Sequence, residues 1–459
     1  MGSGGGDGEA EAERQTQPLL GKLLAEKSYS CSSSDSEEHT VKRTGTIWTA
    51  MAHIITAVIG SGVLSLAWSV AQLGWVGGPV AMVFFAGVTA VQSSLIADCY
   101  ISHDPERGVV RNRSYVDAVR LYLGNKSQLF CGFFLNFSLF GTGVVYTLTS
   151  ATSMRAIQKA NCYHREGHDA PCSVGGDGYY MLLFGVAQVV LSQIPDFHNM
   201  AGLSVFAAAM SFFYAFVGVG LGVAKVITNG VIKGGIGGIP MVSTTQKVWR
   251  VSQALGDIAF AYPFSLVLLE IEDTLRSPPP ETETMKKATR SSILITTFFY
   301  LCCGCFGYAA FGNATPGNLL TGFGFYEPHW LIDLANLCIV YTQPVFAFAD
   351  RVSGGAAAVQ VGARRVNVFR LCFRTAYVAA TTALAVWFPY FNQVIGLLGA
   401  FTFWPLGIHF PVEMYLVKNN VTPWSKHWLA IRAFSVVCLF ICAFASVGSA
   451  VGVFGSETS

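Results

Sequence analysis

Two short stretches of this sequence interrupt long apolar segments with residues that could bind a small charged molecule through the backbone. The first is Gly60-Ser61-Gly62, and the second is Phe260-Ala261-Tyr262-Pro263. A glycine weakens a helix by about 1 kcal/mol relative to alanine, and a proline removes one backbone N–H and strains the preceding turn. Each stretch is therefore predicted to break a helix. A packing glycine motif and an ordinary proline kink are the alternatives.

The two predicted breaks offer backbone groups of opposite polarity. Unwinding at the first exposes N–H groups at the start of a half-helix, a partly positive end that suits a carboxylate. The half-helix ending near Phe260 exposes carbonyl groups, which suit an ammonium group. A site with both ends fits a zwitterion such as an α-amino acid. The predicted substrate-binding residues are Gly60, Ser61, Gly62, Val63, Phe260, Ala261, Tyr262 and Tyr146. An interhelical hydrogen bond is the alternative role for Tyr146.

Two ionisable side chains near the breaks are candidate proton carriers. His53 lies about two turns before the first break on the same helix face, and Asp257 lies about one turn before the second. Histidine titrates near neutral pH, and burial can bring a carboxyl group toward that range. A structural role is the alternative for each. His329 and Asp333 open the eighth apolar segment and could serve at an entrance.

The composition of the chain indicates a polytopic membrane protein. Of its 459 residues, 52% are hydrophobic and 12% are charged, and the mean hydropathy is +0.47. Soluble domains carry about a quarter charged residues, so this chain has too little charge to cover a water-facing surface of its size. The net charge of +2 is too small to provide the strongly basic surface that binds nucleic-acid phosphates. The protein is expected to be surrounded by membrane lipid, and no nucleic-acid partner is expected.

Eleven apolar segments reach the length of about 20 residues that a helix needs to cross a bilayer. The predicted spans are 46–68, 72–98, 128–152, 178–195, 200–226, 251–271, 291–312, 329–349, 368–388, 392–417 and 429–454. The distribution of Lys and Arg places the N-terminus in the cytosol and, with eleven spans, the C-terminus outside. Residues 1–42 are predicted to be a disordered cytosolic tail, 43–454 the transmembrane domain and 455–459 a short extracellular tail.

The two breaks occupy matching places if spans one to five and six to ten form two halves. An odd number of spans per half gives the halves opposite orientations, and matching interrupted helices are typical of secondary transporters. The predicted fold is an all-α integral membrane protein with two inverted five-helix repeats, broken in helices 1 and 6, plus an eleventh helix. No Walker motif, nucleophile elbow or HExxH motif appears. Neither an enzyme nor a cofactor is therefore expected, and the proton is the predicted coupling ion.

Cys162 and Cys172 are the two cysteines that fall in a polar loop, at 153–177. The predicted topology places this loop outside, in an oxidising compartment, and the two cysteines are predicted to form a disulfide. With His164 and His168 they could instead form a zinc site. Because paired extracellular cysteines more often bond to each other, no metal site is predicted.

Two longer stretches resemble a known family. RTGTIWTAMAHIITAVIGSGVLSLAW at 43–68, followed by AQLGW at 71–75, closely resembles the opening of plant amino acid permeases in the amino acid/auxin permease family. ALGDIAFAYPFSLVLLEIEDTLRSPPPE at 254–281 resembles the span-six signature of these permeases. The resemblance covers residues 43–454. One departure is Pro263, which stands where a polar residue is expected.

The resemblance implies an APC/LeuT-like fold and proton-coupled uptake of amino acids, neutral ones over a broad range, at the plasma membrane of a plant cell. The resemblance places the substrate site at Gly60, Ser61, Gly62 and residues 260–262. His53 stands at the position where the family has a span-one histidine. A membrane enzyme is the least expected alternative, because no catalytic constellation appears, and three other functions stay open. They are import of an aromatic or indole acid such as auxin, sodium coupling through carbonyls near residues 341–343, and a receptor on a transporter scaffold.

Overall fold

The computed structural model describes residues 43–104, 108–167, 172, 175–192, 201–324, 327–341, 358–361 and 364–455. The chain divides into two units, Met1–Gly45 and Thr46–Ser459. Every helix and strand of the described residues belongs to the second unit. The predicted tail at 1–42 lies outside the described residues. The predicted tail at 455–459 is described only at Gly455.

Helices make up most of the second unit. In chain order they are α1 (Ile47–Val58), α2 (Gly62–Asp98), α3 (Tyr115–Glu166), α4 (Asp177–Ser192), α5 (Ala201–Asn229), α6 (Thr244–Ala261), α7 (Ser265–Asp273), α8 (Glu281–Phe311), α9 (His329–Tyr341), α10 (Val368–Trp387), α11 (Phe391–Thr402), α12 (Phe410–Lys418) and α13 (Lys426–Gly455). Two 3₁₀ helices, Gly312–Ala314 and Leu319–Phe323, follow α8. A π-helical segment, Phe403–His409, joins α11 to α12.

Within the described residues, every predicted span overlaps one of these helices or a set of them. Span one is α1 with the start of α2, span six is α6 with α7, and span ten is α11 and α12 with the π-helical segment between them. Within the described residues, seven helical stretches are long and apolar enough to cross a membrane, and α1, α9 and α10 are shorter apolar helices. The prediction of an all-α, multi-pass membrane protein with breaks in spans one and six is confirmed.

Glycines with left-handed backbone angles bend the chain where spans one and two meet. Gly74 has φ 83° inside α2, and a Cβ there would lie 2.0 Å from the Ile236 carbonyl oxygen. Gly238 has φ 73°, and a Cβ there would lie 2.5 Å from the Ala71 carbonyl oxygen. A glycine at each position permits both the angle and the contact. The glycine-rich turn around residue 236 therefore packs directly on the kink.

Helices α6, α11 and α13 pack with their backbones unusually close together. A Cβ on Gly256 of α6 would lie 2.3 Å from the Gly396 carbonyl oxygen of α11. On the α11 side, a Cβ on Gly399 would lie 2.2 Å from the Gly256 carbonyl oxygen, and in α13 a Cβ on Gly448 would lie 2.1 Å from Ser252 Oγ. Small residues permit such close contacts between helices in membranes. They hold α11 and α13 against the helix that ends at the second break.

Ion pairs and hydrogen bonds join the ends of spans two, six, seven and ten. Tyr100 donates a hydrogen bond to Asp273 (2.7 Å), and Lys286 pairs with Asp98 (2.5 Å). Lys418 donates to the carbonyl oxygens of Asp98 and Ile101. An antiparallel hairpin of β1 (Ile101–Asp104) and β2 (Gly108–Arg111) lies at this end, and a second hairpin pairs β3 (Ala358–Val361) with β4 (Arg364–Asn367). Neither hairpin was predicted, because both are short elements between apolar spans.

Candidate functional site

The first break separates α1 from α2 over residues 59–61. The Gly60 N–H donates to the Val58 carbonyl oxygen (3.0 Å), and the Leu64 N–H donates to that of Ser61 (3.2 Å). The first N–H groups of a helix have no acceptor within it. Among the described residues, no acceptor outside the helix is found for the N–H groups of Gly62 and Val63. The Ser61 Oγ is also buried without a hydrogen-bond partner. Free donors therefore converge where a carboxylate was predicted to bind.

The second break separates α6, which ends at Ala261, from α7, which begins at Ser265. Pro263 lies in the middle of this connection and has no N–H to continue the helix. Tyr262 is buried, and its hydroxyl group lies near that of Thr297 without ordinary hydrogen-bond geometry. Because the last carbonyl groups of a helix have no donor within it, those of α6 are left at the break.

The two breaks meet. A Cβ on Gly62 would lie 3.0 Å from Ala261 Cα and 3.4 Å from Phe260 Cδ1, so the start of α2 lies against the end of α6. A Cβ on Gly60 would have no heavy atom within 4 Å, so open space lies beside this residue. A partly positive helix end and a partly negative one thus lie side by side next to an open space.

A tyrosine that the sequence analysis did not single out links the two breaks. The hydroxyl group of Tyr300 in α8 lies 2.7 Å from the Val58 carbonyl oxygen and 2.9 Å from that of Ala261. Its ring packs edge-on against Tyr262, with 5.3 Å between the ring centroids. Because a hydroxyl group has one hydrogen, it donates to one of the two carbonyl groups at a time. The only sequence signal for Tyr300 is a polar aromatic residue inside an apolar span.

Asp257 lies one turn before Phe260 on α6 and is completely buried. Neither of its carboxylate oxygens has a partner at ordinary hydrogen-bond geometry among the described residues, although Ser69 of α2 lies close enough to interact with the carboxyl group. A Cβ on Gly396 of α11 would lie 2.9 Å from Asp257 Oδ1. It would also lie 2.8 Å from Oγ of Ser449 in α13, an atom that has no hydrogen-bond partner among the described residues. The carboxyl group is therefore enclosed between α6, α11 and α13, next to the site.

His53 does not face the breaks. It is exposed on α1, whereas Ala50, Ile54 and Val58 form the buried face of this helix. The structure therefore brings the residues of the two breaks and Asp257 into one region but leaves His53 outside it. Its role in proton coupling stays a prediction.

Tyr146 of α3 follows Val145, which belongs to the apolar cluster that Phe260 packs against. It is half-buried and lines a small pocket between α3, α4 and α10, together with Gly143, Thr147, Phe184, Gln188, Tyr377, Val378 and Thr381. Through Tyr214, with which it interacts electrostatically, Tyr146 is connected to Tyr300, the residue that links the two breaks. Its role in substrate binding stays a prediction.

Cys162 and Cys172 are joined in a disulfide, with 5.9 Å between their Cα atoms. Cys162 lies in the last turns of α3, which continues to Glu166 instead of ending near residue 152. Since both thiols are bonded, they cannot form the zinc site with His164 and His168 that was considered from the sequence. His168 itself lies outside the described residues.

Broken helices whose ends meet inside a helical bundle are typical of transmembrane transporters. Residues 43–454 match the family model described as "Transmembrane amino acid transporter protein", and the chain belongs to this family. The expectation of a transporter, not an enzyme, is thereby confirmed.

Similar proteins come from a plant. "Probable amino acid permease 7" of Arabidopsis thaliana is 53% identical over 440 residues, which cover 90% of this chain and 94% of that protein. "Amino acid permease 3" of the same plant is 50% identical, with 90% and 91% covered. The structure titled "Crystal structure of MhsT in complex with L-phenylalanine" has a TM-score of 0.49 and 11% identity, covering 87% of this chain and 98% of that one. The last likeness is too weak to establish a fold. The resemblance to the plant amino acid permeases is confirmed by the first two.

Proposed function

We propose that this protein imports neutral amino acids across the plasma membrane of a plant cell together with protons. The observation that carries the proposal is the contact between the two breaks, where Gly62 of α2 lies against Ala261 of α6 beside an open space at Gly60. The amino acid carboxylate would bind the free N–H groups of Gly62 and Val63. Its ammonium group would bind carbonyl groups at the ends of α1 and α6.

The surroundings of Phe260 support a preference for neutral side chains. Phe260 packs with apolar residues from two other helices, namely Val145, Ile395 and Leu398. None of these offers a charge to pair with a basic or acidic substrate side chain. A charged side chain placed here would lose its hydration without a compensating partner.

Asp257 is the group that supports proton coupling best. A buried carboxylate without partners costs much more free energy than the protonated form, which is neutral. A proton taken up there would therefore accompany closure of the site, and access of water from the other side would favour its release. Buried ionisable groups in membrane spans commonly serve such relays.

The distribution of Lys and Arg supports an N-terminus in the cytosol and a C-terminus outside. With this orientation the ion pairs around Asp98 lie on the cytosolic side. The disulfide at Cys162 lies outside, in an oxidising compartment, which suits it.

Currents in voltage-clamped oocytes test the proposal. Neutral amino acids should evoke an inward current that is larger at acidic than at neutral outside pH and unchanged when choline replaces sodium. A current that is insensitive to outside pH would contradict proton coupling. A current with indole acids that lack an amino group would point to the alternative cargo, and no current despite surface expression would point to a receptor.

Replacing Tyr300 by phenylalanine is expected to raise the KM for amino acids about tenfold. The change removes the donor shared by the Val58 and Ala261 carbonyl groups, so the two helix ends are no longer held together. Radiolabelled uptake at equal surface expression measures the effect. Tyr377→Phe is the matched control, because the hydroxyl group of Tyr377 also donates to a backbone carbonyl, that of Leu139 (2.9 Å). Equal KM values for the two variants would contradict a special role for Tyr300.

Alanine at Gly60 and at Gly62 is expected to have different effects. At Gly60 the methyl group meets no atom within 4 Å, so folding and surface expression should be unchanged. The methyl group would fill space proposed for the substrate and raise KM about tenfold. At Gly62 it would lie 3.0 Å from Ala261 Cα and push the two breaks apart, which should lower the maximal rate.

Uptake kinetics of the two variants, normalised to surface expression, distinguish these effects. An unchanged KM for Gly60→Ala would mean that the substrate does not occupy the space beside this residue.

A further inference from the structure

A second group of side chains able to bind an ion lies where α3 ends and α9 begins. His164 is in the last turn of α3, Glu327 precedes α9, and His329 is its first residue. The imidazole rings of the two histidines lie 4.3 Å apart, centroid to centroid. Nδ1 of His164 is 3.2 Å from Glu327 Oε1, and Nδ1 of His329 is 3.6 Å from Glu327 Oε2.

We propose that His164, Glu327 and His329 bind a zinc ion. In tetrahedral zinc sites, bonds of about 2.0–2.1 Å to nitrogen and oxygen place neighbouring ligand atoms about 3.4 Å apart. The separations of 3.2 and 3.6 Å are close to this value, although each histidine faces a different oxygen of the Glu327 carboxylate, so a small side-chain rotation would bring one oxygen to both. One ligand atom from each of the three residues lies within 4.8 Å of the other two. Two histidines and one carboxylate, with water at the fourth position, form a ligand set that zinc commonly takes.

Asp333 gives the site a fourth polar group. It lies one turn after His329 on α9 and interacts electrostatically with both histidines. Its Oδ2 accepts a hydrogen bond from Asn161 (3.0 Å), whereas its Oδ1 is buried without a hydrogen-bond partner. Carboxylates beside zinc-binding histidines orient the imidazole rings and raise metal affinity. Asp333 is placed to act in this way.

A disulfide lies close to this site, at the end of α3. Cys162 lies two residues before His164, and its bond to Cys172 ties the chain that follows α3 back to the helix end that carries His164. A bound zinc ion would then tie the end of span three to the start of span eight. In the proposed orientation this happens on the outer face of the membrane, away from the substrate site at the two breaks.

Ion pairing without a metal is the competing explanation. Protonated histidines on either side of Glu327 would also give the observed distances. A direct measurement of zinc binding separates the two, because ion pairs alone give no saturable binding.

The experiment is calorimetric titration of ZnCl₂ into the purified full-length protein in detergent, after treatment with a chelator. One zinc ion per chain is expected, and MgCl₂, a hard cation that prefers oxygen ligands, should give no saturable heat. His329→Ala and Glu327→Gln should each raise the Kd for zinc more than about tenfold, since even residues outside the ligand set cost that much. His427→Ala, which removes an exposed histidine of α13, should bind zinc like the parent protein.

Two results would overturn the proposal. One is the absence of saturable zinc binding to the parent protein. The other is an unchanged Kd in a variant that elutes and unfolds like the parent. If His329→Ala does not fold, Glu327→Gln decides, because it keeps the size and shape of the side chain. Amino acid currents measured with a chelator in the bath test transport separately, so failure of one proposal does not imply failure of the other.

Discussion

Replacing Asp257 by asparagine should abolish the dependence of amino acid uptake on outside pH and lower uptake at acidic pH about tenfold or more. Asparagine has nearly the same shape but cannot take up or release a proton. Asp257 is fully buried, and the polar side chain that interacts with its carboxyl group, Ser69, is neutral. Currents and radiolabelled uptake at acidic and neutral outside pH measure both effects in the same cells.

An exposed carboxyl group provides the matched control for this experiment. Asp117 lies in the first turn of α3 and is exposed, so Asp117→Asn should keep the pH dependence of the parent protein. If Asp257→Asn also kept it, Asp257 would not carry the proton. A loss of pH dependence in His53→Gln alone would then assign the proton to α1.

The two breaks could be predicted from the sequence because their causes are local. Glycine and proline act on the backbone of the residues where they stand, and Gly60, Gly62 and Pro263 interrupt otherwise continuous apolar runs. Neither break needs a distant contact to form. The span pattern is local for the same reason, since a helix must satisfy its own backbone hydrogen bonds in lipid.

The position of His53 shows where counting along a helix fails. Its predicted face assumed that α1 keeps its rotation as far as Gly60. However, Ile59 has φ −78° and ψ 86°, which is not helical, so the phase of the helix is lost there. Helical periodicity therefore predicts the direction of His53 relative to Val58, but not relative to any residue after the break.

Contacts between distant parts of the chain could not be predicted either. Tyr300 reaches Val58 across 242 positions of sequence, and no pattern within α8 marks it. The same holds for His164, whose sequence neighbours suggested cysteine partners. Its partner in the structure is Glu327, from the connection before another helix. A single sequence carries no signal for such pairs, because they depend on how whole helices pack.

Gly399→Ala should prevent the protein from reaching the folded state in useful amounts. The added Cβ would lie 2.2 Å from the Gly256 carbonyl oxygen and 2.6 Å from the Phe260 backbone nitrogen. Both are backbone atoms of α6, so no side-chain rotation relieves the overlap, and α11 must move away from the second break. Overpacking of this kind costs about 3 kcal/mol or more. The gain of about 1 kcal/mol from the better helix propensity of alanine does not offset it.

Gly87→Ala separates this packing effect from helix propensity. Gly87 is exposed on α2, and a Cβ there meets no atom within 4 Å, so the variant gains propensity without overlap and should be at least as stable as the parent. Surface expression and thermal unfolding in detergent measure the difference between the two variants. Normal expression and stability of Gly399→Ala would mean that α6 and α11 are not in backbone contact. The second break would then lack the support on which the proposed site depends.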